Sequence, residues 1–209
     1  MTANVLQKGL PTPFLSEEWR IAVAPEETYE ALVSEPAAPN GLIVRLAVIV
    51  LVFATIAAVI LTGRMTVALV ATAIVTWSFV LVLQIIISMC VVLSASTRRV
   101  SVGRALDLWF ASHLPYSLWL MLIASWLIFA ATFPPFVMVL TVIAPAAWTV
   151  IITLAFCRVV LGVSARGARW RVALQQSLAW LCVVAYLVFA SGGPTSLVTY
   201  LARQLGLRP

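Results

Sequence analysis

Residues 42–61 read LIVRLAVIVLVFATIAAVIL, an apolar run whose one charged residue is Arg45. At 1.5 Å per residue a helix of about 20 residues is about 30 Å long, the thickness of a bilayer's hydrocarbon core. Arg45 stands near the start of the run, where its long stem can lift the guanidinium to the headgroup level. The stretch therefore reads as a membrane span, and the rest of the chain repeats its pattern. Gly63 and Arg64 separate it from a second run, 65–96, long enough to cross with tilt. A third covers 114–133, and Pro134 with Pro135 then predicts a tight reversal. A fourth covers 136–157, with Pro145 as a predicted kink, and a fifth covers 172–190, closed by SGGP.

Composition agrees with this reading. The 209 residues are 63% hydrophobic and 10% charged, with mean hydropathy +1.10, whereas soluble domains carry about 25% charged residues. A soluble globule is excluded, and five spans leave no room for a sizeable water-soluble catalytic domain. The expected fold is an all-α polytopic transmembrane bundle of five helices with a cytoplasmic N-terminal amphipathic segment. Its divisions are 1–41 for that segment, 42–190 for the bundle and 191–209 for an external tail. The first 40 residues lack the apolar core of a secretory signal and read as a mature polar segment.

Orientation follows from the cations. With the N-terminus inside, Lys8, Arg20, Arg45, Arg98, Arg99, Arg104, Arg158, Arg166, Arg169 and Arg171 lie on the cytoplasmic side, and Arg64, Arg203 and Arg208 outside. Ten against three obeys the positive-inside rule and puts the C-terminus outside. The net charge of +6 is thus mostly topogenic, and nothing in it suggests nucleic acid.

Six of the seven acidic residues fall between Glu17 and Glu35, and the seventh is Asp107. Pro25 suits the first position of a helix, and Glu26 and Glu27 suit its first turn, at the positive end of the dipole. Tyr29, Leu32 and Val33 recur at helical spacing, so 16–34 reads as one amphipathic element, with SEPAAPNG as a linker into the first span. An acidic polar face is repelled by anionic headgroups, so its dock is expected to be protein: the basic loops of this bundle or a partner. The candidate docking residues are Glu26, Glu27, Tyr29, Glu30 and Leu32. Two more amphipathic stretches read as interfacial. One is SVGRALDLWFASHLP, 101–115; the other is the tail, with Leu197, Tyr200, Leu201 and Leu205 facing the membrane.

The spans hold no Asp, Glu or Lys, and Arg45 and Arg64 sit at span ends, which argues against ion-coupled transport, proton relays and intramembrane proteolysis. No phosphate loop, catalytic triad or metal-ligand spacing occurs, so no catalytic residue, metal or cofactor is expected. His113 reads as an interfacial residue rather than a pigment ligand, and Cys90, Cys157 and Cys182 as small apolar packing residues. Gln84, deep in the second span, is the candidate interhelical polar contact. Arg166, Arg169 and Arg171 are candidate contacts for anionic lipid or for the acidic segment, beyond their topogenic role.

The segments PEETYEAL followed by EPA, then SVGRALDLWFASHLP, then GVSARGARWRVALQQS, together with the order of the spans, resemble bacterial members of the Yip1 family over residues 17–190. The resemblance implies a five-span helical bundle without enzymatic activity. Eukaryotic relatives engage small GTPases, but the DLYGP-type motif that goes with that role is missing here, so GTPase binding is not carried over. Twelve Arg to one Lys, with abundant Ala, suggests a GC-rich bacterial genome. The expected function is that of a non-catalytic accessory subunit or assembly and organising factor in a larger bacterial inner-membrane complex, with lipids and other integral membrane subunits as partners. The alternative is a small transporter or lipid-handling protein with Gln84 and Pro145 lining a cavity.

Overall fold

A backbone in hydrocarbon must satisfy its own N–H and C=O groups, and uninterrupted apolar runs do so as helices. The computed structural model describes residues 14–35, 40–62, 64, 66–130, 135–190 and 192–204. Lys8, most of the expected linker (36–39) and Pro134 lie outside them, as do the side chains expected to turn the tail toward the membrane. Every described element is an α-helix: α1 Phe14–Val23, α2 Pro25–Ser34, α3 Gly41–Thr62, α4 Val67–Leu93, α5 Val102–Ala111, α6 Leu114–Ala130, α7 Pro135–Val159, α8 Ala165–Ala190 and α9 Pro194–Gln204.

Three stretches among the described residues are long and apolar enough to cross a membrane: Gly41–Val59 in α3, Val67–Leu93 as α4, and Leu140–Val159 in α7. Local chemistry shifts some expected boundaries. The Thr66 hydroxyl accepts from the Leu69 N–H, so α4 starts at Val67 rather than 65. The expected single element at 16–34 is two helices, because Ala24 takes φ −135° and ψ 70° ahead of Pro25. The Arg-rich stretch before the fifth run is no loop. The Ser164 hydroxyl accepts from the Gly167 N–H at 3.3 Å, and Ala165 to Arg171 form the first turns of α8.

Hydrogen bonds between distant segments align the helix ends. Just past α4, the Thr97 hydroxyl donates to the Leu161 carbonyl at 2.8 Å, and the Arg99 N–H to the Val160 carbonyl at 2.9 Å, just past α7. α4 and α7 therefore finish together. Arg171 at the start of α8 donates to the Ser94 carbonyl at 2.8 Å and to its hydroxyl at 3.0 Å, covering the open carbonyl end of α4. Arg45 at the start of α3 donates to the Asp107 carbonyl in α5 at 3.1 Å. The beginnings of α3 and α8 thus share one end of the molecule with the finishes of α4 and α7.

That end holds the main core, built from Ile21, Tyr29 and Leu32 with Val92, Leu108, Trp109, Ile152 and Phe156. Toward the other end α3 and α4 meet through Ala54, Ala58 and Ala73, whose small side chains let the backbones approach. Here α5 departs from expectation. Every residue from Arg104 to Ala111 is buried, so this helix plugs the ends of the bundle instead of lying along an interface. Its Leu106, Trp109 and Phe110 find protein on a side where lipid was expected. Buried Pro145 lies inside α7.

Candidate functional site

Helices α1, α2 and α5 form a cap over the shared end, and its chemistry is centred on Arg45. One turn into α3, this residue is 5% exposed. Its Nη2 donates to Glu17 Oε2 at 3.0 Å, and its Nε stands 3.4 Å from both Glu18 Oε1 and Asp107 Oδ1. Asp107 also takes Arg104 Nη1 on Oδ2 at 2.7 Å, three residues back on α5. Arg104 Nη2 donates in turn to the Leu32 carbonyl of α2 at 3.4 Å. Two guanidiniums and three carboxylates thereby join α1, α2, α3 and α5. The expectation that Arg45 snorkels to the headgroups is corrected: protein carboxylates reach it before lipid can.

The cluster is not evenly satisfied. Neither Glu18 oxygen accepts a hydrogen bond from a described residue. Burial pushes the Glu18 carboxyl above its ordinary 4.5, with the Arg45 guanidinium opposing the shift. Desolvation is the larger effect, and the cluster is close to charge balance when Glu18 holds a proton.

An aromatic layer lies beside the charges. Tyr29 meets Phe156 edge to face with ring centroids 5.8 Å apart, and Trp109 meets the same ring at 5.2 Å. Burial pushes the Tyr29 hydroxyl above its ordinary value. Trp148 of α7 donates Nε1 to the Ala22 carbonyl at 2.7 Å, satisfying an acceptor in the last turn of α1.

The candidate docking residues divide by location. Tyr29 and Leu32 are buried in the chain's own core, so neither faces outward while α2 is seated. Glu26 pairs with Arg158 Nη1 at 2.6 Å, with both side chains more than half exposed. Glu27 and Glu30 are exposed, and Glu27 borders an open groove of about 270 Å³ lined also by Trp19, Arg20, Val23 and Thr28. Of the three candidate lipid-contact arginines, Arg166 and Arg169 are exposed, whereas Arg171 is bonded to Ser94. Gln84 is half-buried in α4 and makes no hydrogen bond among the described residues.

His113 stacks on Phe110 with centroids 5.3 Å apart, and its Nδ1 is buried without a hydrogen-bond partner. Burial holds its pKa below 6.5, against the pull of the Trp109 and Phe110 carbonyls. Cys90, Cys157 and Cys182 are free thiols. Among the described residues no group of three or more His, Cys, Asp or Glu could hold a metal ion.

Sequence reasoning missed the Arg45 cluster, although a signal was present. A lone Arg inside an apolar run needs an opposite charge, and the acids available to it were Asp107 and the cluster that begins at Glu17. No family model, curated protein or solved structure matches this chain. The resemblance to the Yip1 family has no support in these comparisons.

Proposed function

We propose that the chain is a non-catalytic integral membrane protein of a bacterial inner membrane, crossing it five times, and that it acts as an accessory subunit or assembly and organising factor of a larger membrane complex. The reading rests on one observation above all. The buried ionisable groups of the cap are spent on joining α1, α2, α3 and α5, while the outer face keeps Glu27, Glu30 and Glu35 exposed and outside the ion pairs among the described residues, beside exposed Trp19 and Val23. Such a cap is built to be held rigid and to present a surface.

The five crossings are α3, α4, α6, α7 and α8. Because α4 and α7 both finish at one end, a crossing by each requires the chain between them to return to the other end. α7 is about 37 Å long at 1.5 Å per residue, and α6 supplies the return. The end of the molecule that the cap covers gathers the acidic residues and, with Arg20, Arg45, Arg98, Arg99, Arg104, Arg158, Arg166, Arg169 and Arg171, most of the cations, which supports the cytoplasm as its side.

The test is a tagged pull-down at native expression, in mild detergent after brief crosslinking, with stoichiometry counted by mass spectrometry. Partners recovered in fixed ratio, and lost when Glu27 and Glu30 are replaced by Gln, are the expected result. A protein that emerges alone, and whose Glu27 and Glu30 variants behave as the parent does, would sink the reading.

A second reading, a small transporter or lipid-handling protein, draws on Gln84, whose carboxamide lacks a hydrogen bond among the described residues. Gln84→Leu separates the two. Loss of substrate flux with the fold intact favours a cavity contact; a lowered Tm without such a loss favours packing.

A further inference from the structure

The acidic helices leave part of the bundle's positive charge unmatched. Glu17, Glu18 and Asp107 take Arg45 and Arg104, and Glu26 takes Arg158. Arg99, Arg166 and Arg169 are exposed and join none of the ion pairs among the described residues. Arg99 stands with Arg98 on the turn after α4, which is bonded to the turn after α7, and Arg166 and Arg169 stand in the first turns of α8, into which that second turn leads. Gly162 makes the close approach possible. Its φ is +63°, and a Cβ there would come within 2.8 Å of the Thr97 carbonyl oxygen. Arg171 completes the joint by binding Ser94, leaving Arg166 and Arg169 to point elsewhere. Next to Arg169 in α8, Trp170 is 73% exposed, an indole left uncovered by protein.

From this geometry we infer that Arg99, Arg166 and Arg169, with Arg98 at their edge and Trp170 as anchor, form a binding site for the headgroup of an anionic phospholipid. The inference rests on the reading of α4, α7 and α8 as membrane spans, because their ends fix the patch at the depth where headgroups lie. Guanidinium groups pair with phosphate oxygens two at a time, and Trp favours the boundary between hydrocarbon and water. Lipid is a better occupant than an acidic protein segment, because the chain's own acidic segment is already seated on Arg45 and Arg158 and bypasses this patch.

The experiment uses the full chain in nanodiscs of phosphatidylcholine with or without phosphatidylglycerol, and counts retained lipids by native mass spectrometry. The parent is expected to retain phosphatidylglycerol over phosphatidylcholine and to lose that preference at high salt. In Arg99→Gln/Arg166→Gln/Arg169→Gln the preference should fall roughly 100-fold, at about fivefold per cation near a charged surface. The Lys version of the triple variant keeps the charge and should keep most of the preference. Arg64→Gln/Arg203→Gln, away from this patch, should keep all of it. A parent that enters the bilayer yet shows no preference overturns the inference alone, as does a triple Gln variant that retains it. A parent that alkaline carbonate strips from membranes overturns the span reading as well.

Discussion

Glu18 is seated at a cost, because its oxygens are buried and accept no hydrogen bond from a described residue while its partner guanidinium is shared with Glu17 and Asp107. Its folded pKa lies above the unfolded 4.5, so the fold favours the protonated form. The resulting contribution to stability is fully present below about pH 4.5 and is lost as pH rises through the folded value. Glu18→Gln mimics the favoured form at every pH. Its Tm in detergent should equal or exceed the parent's at pH 8, and the difference between the two should shrink toward pH 5. A variant less stable than the parent at pH 8 would show instead that the Glu18 charge is needed to hold Arg45. A second residue-scale prediction concerns Gly162, where both the left-handed backbone and the Thr97 carbonyl oppose a side chain. Gly162→Ala should cost roughly 1 to 3 kcal/mol. Gly192→Ala, at φ +81° with its nearest neighbour 4.0 Å away, meets backbone strain alone and should cost less, about 1 kcal/mol. Equal losses in thermal unfolding would remove the role given to the Thr97 contact.

Two arginines fasten the acidic helices to the long ones, and burial sets the worth of each. Arg158 and Glu26 are 52% and 55% exposed, so water screens them and their pairing is worth under about 1 kcal/mol. Arg45 has side-chain exposure of 6%, and removing it strands Glu18, takes the cation from Glu17 and leaves Asp107 with Arg104 alone. Arg45→Met should cost about 3 to 5 kcal/mol and free α1 to proteolysis, whereas Arg158→Gln should leave Tm and protease resistance nearly unchanged. The reverse order would mean that the aromatic layer, not the charges, seats the cap. At this scale the sequence was legible where one residue's own chemistry decides, and illegible where two distant segments decide together. Pro25 announced the start of α2, and the apolar runs announced α3, α4 and α7. The break at Ala24 is local too, but the helical spacing of Tyr29 and Leu32 hid it. For α5 amphipathicity was visible, and what would cover its apolar side was not, because lipid and protein select the same residues. Charge pairing between Arg45 and Asp107 spans 62 positions, beyond any periodicity. Nor could the Arg166 to Arg171 stretch show which of its guanidiniums would be consumed by the end of α4.

At the scale of the whole molecule, the common end at which α4 and α7 finish makes topology a sharp test of the five-span reading. A bilayer crossed by α3, α4 and α7 alone would put Ala165 on the far side from Ser101, because α7 would be the last crossing before it. The bond from Arg171 to the Ser94 carbonyl places the start of α8 beside the end of α4, and on the five-span reading α6 carries the chain back. Single cysteines can be introduced at exposed positions in a background lacking Cys90, Cys157 and Cys182, as Glu30→Cys, Ser101→Cys, Ala165→Cys, Arg64→Cys and Thr195→Cys. In intact cells a membrane-impermeant maleimide should label positions 64 and 195, and should reach 30, 101 and 165 only after the membrane is opened. Labelling of 165 together with 64 would reduce the crossings to three. It would also break the alignment of helix ends on which the cap, its buried charges and the arginine patch all depend.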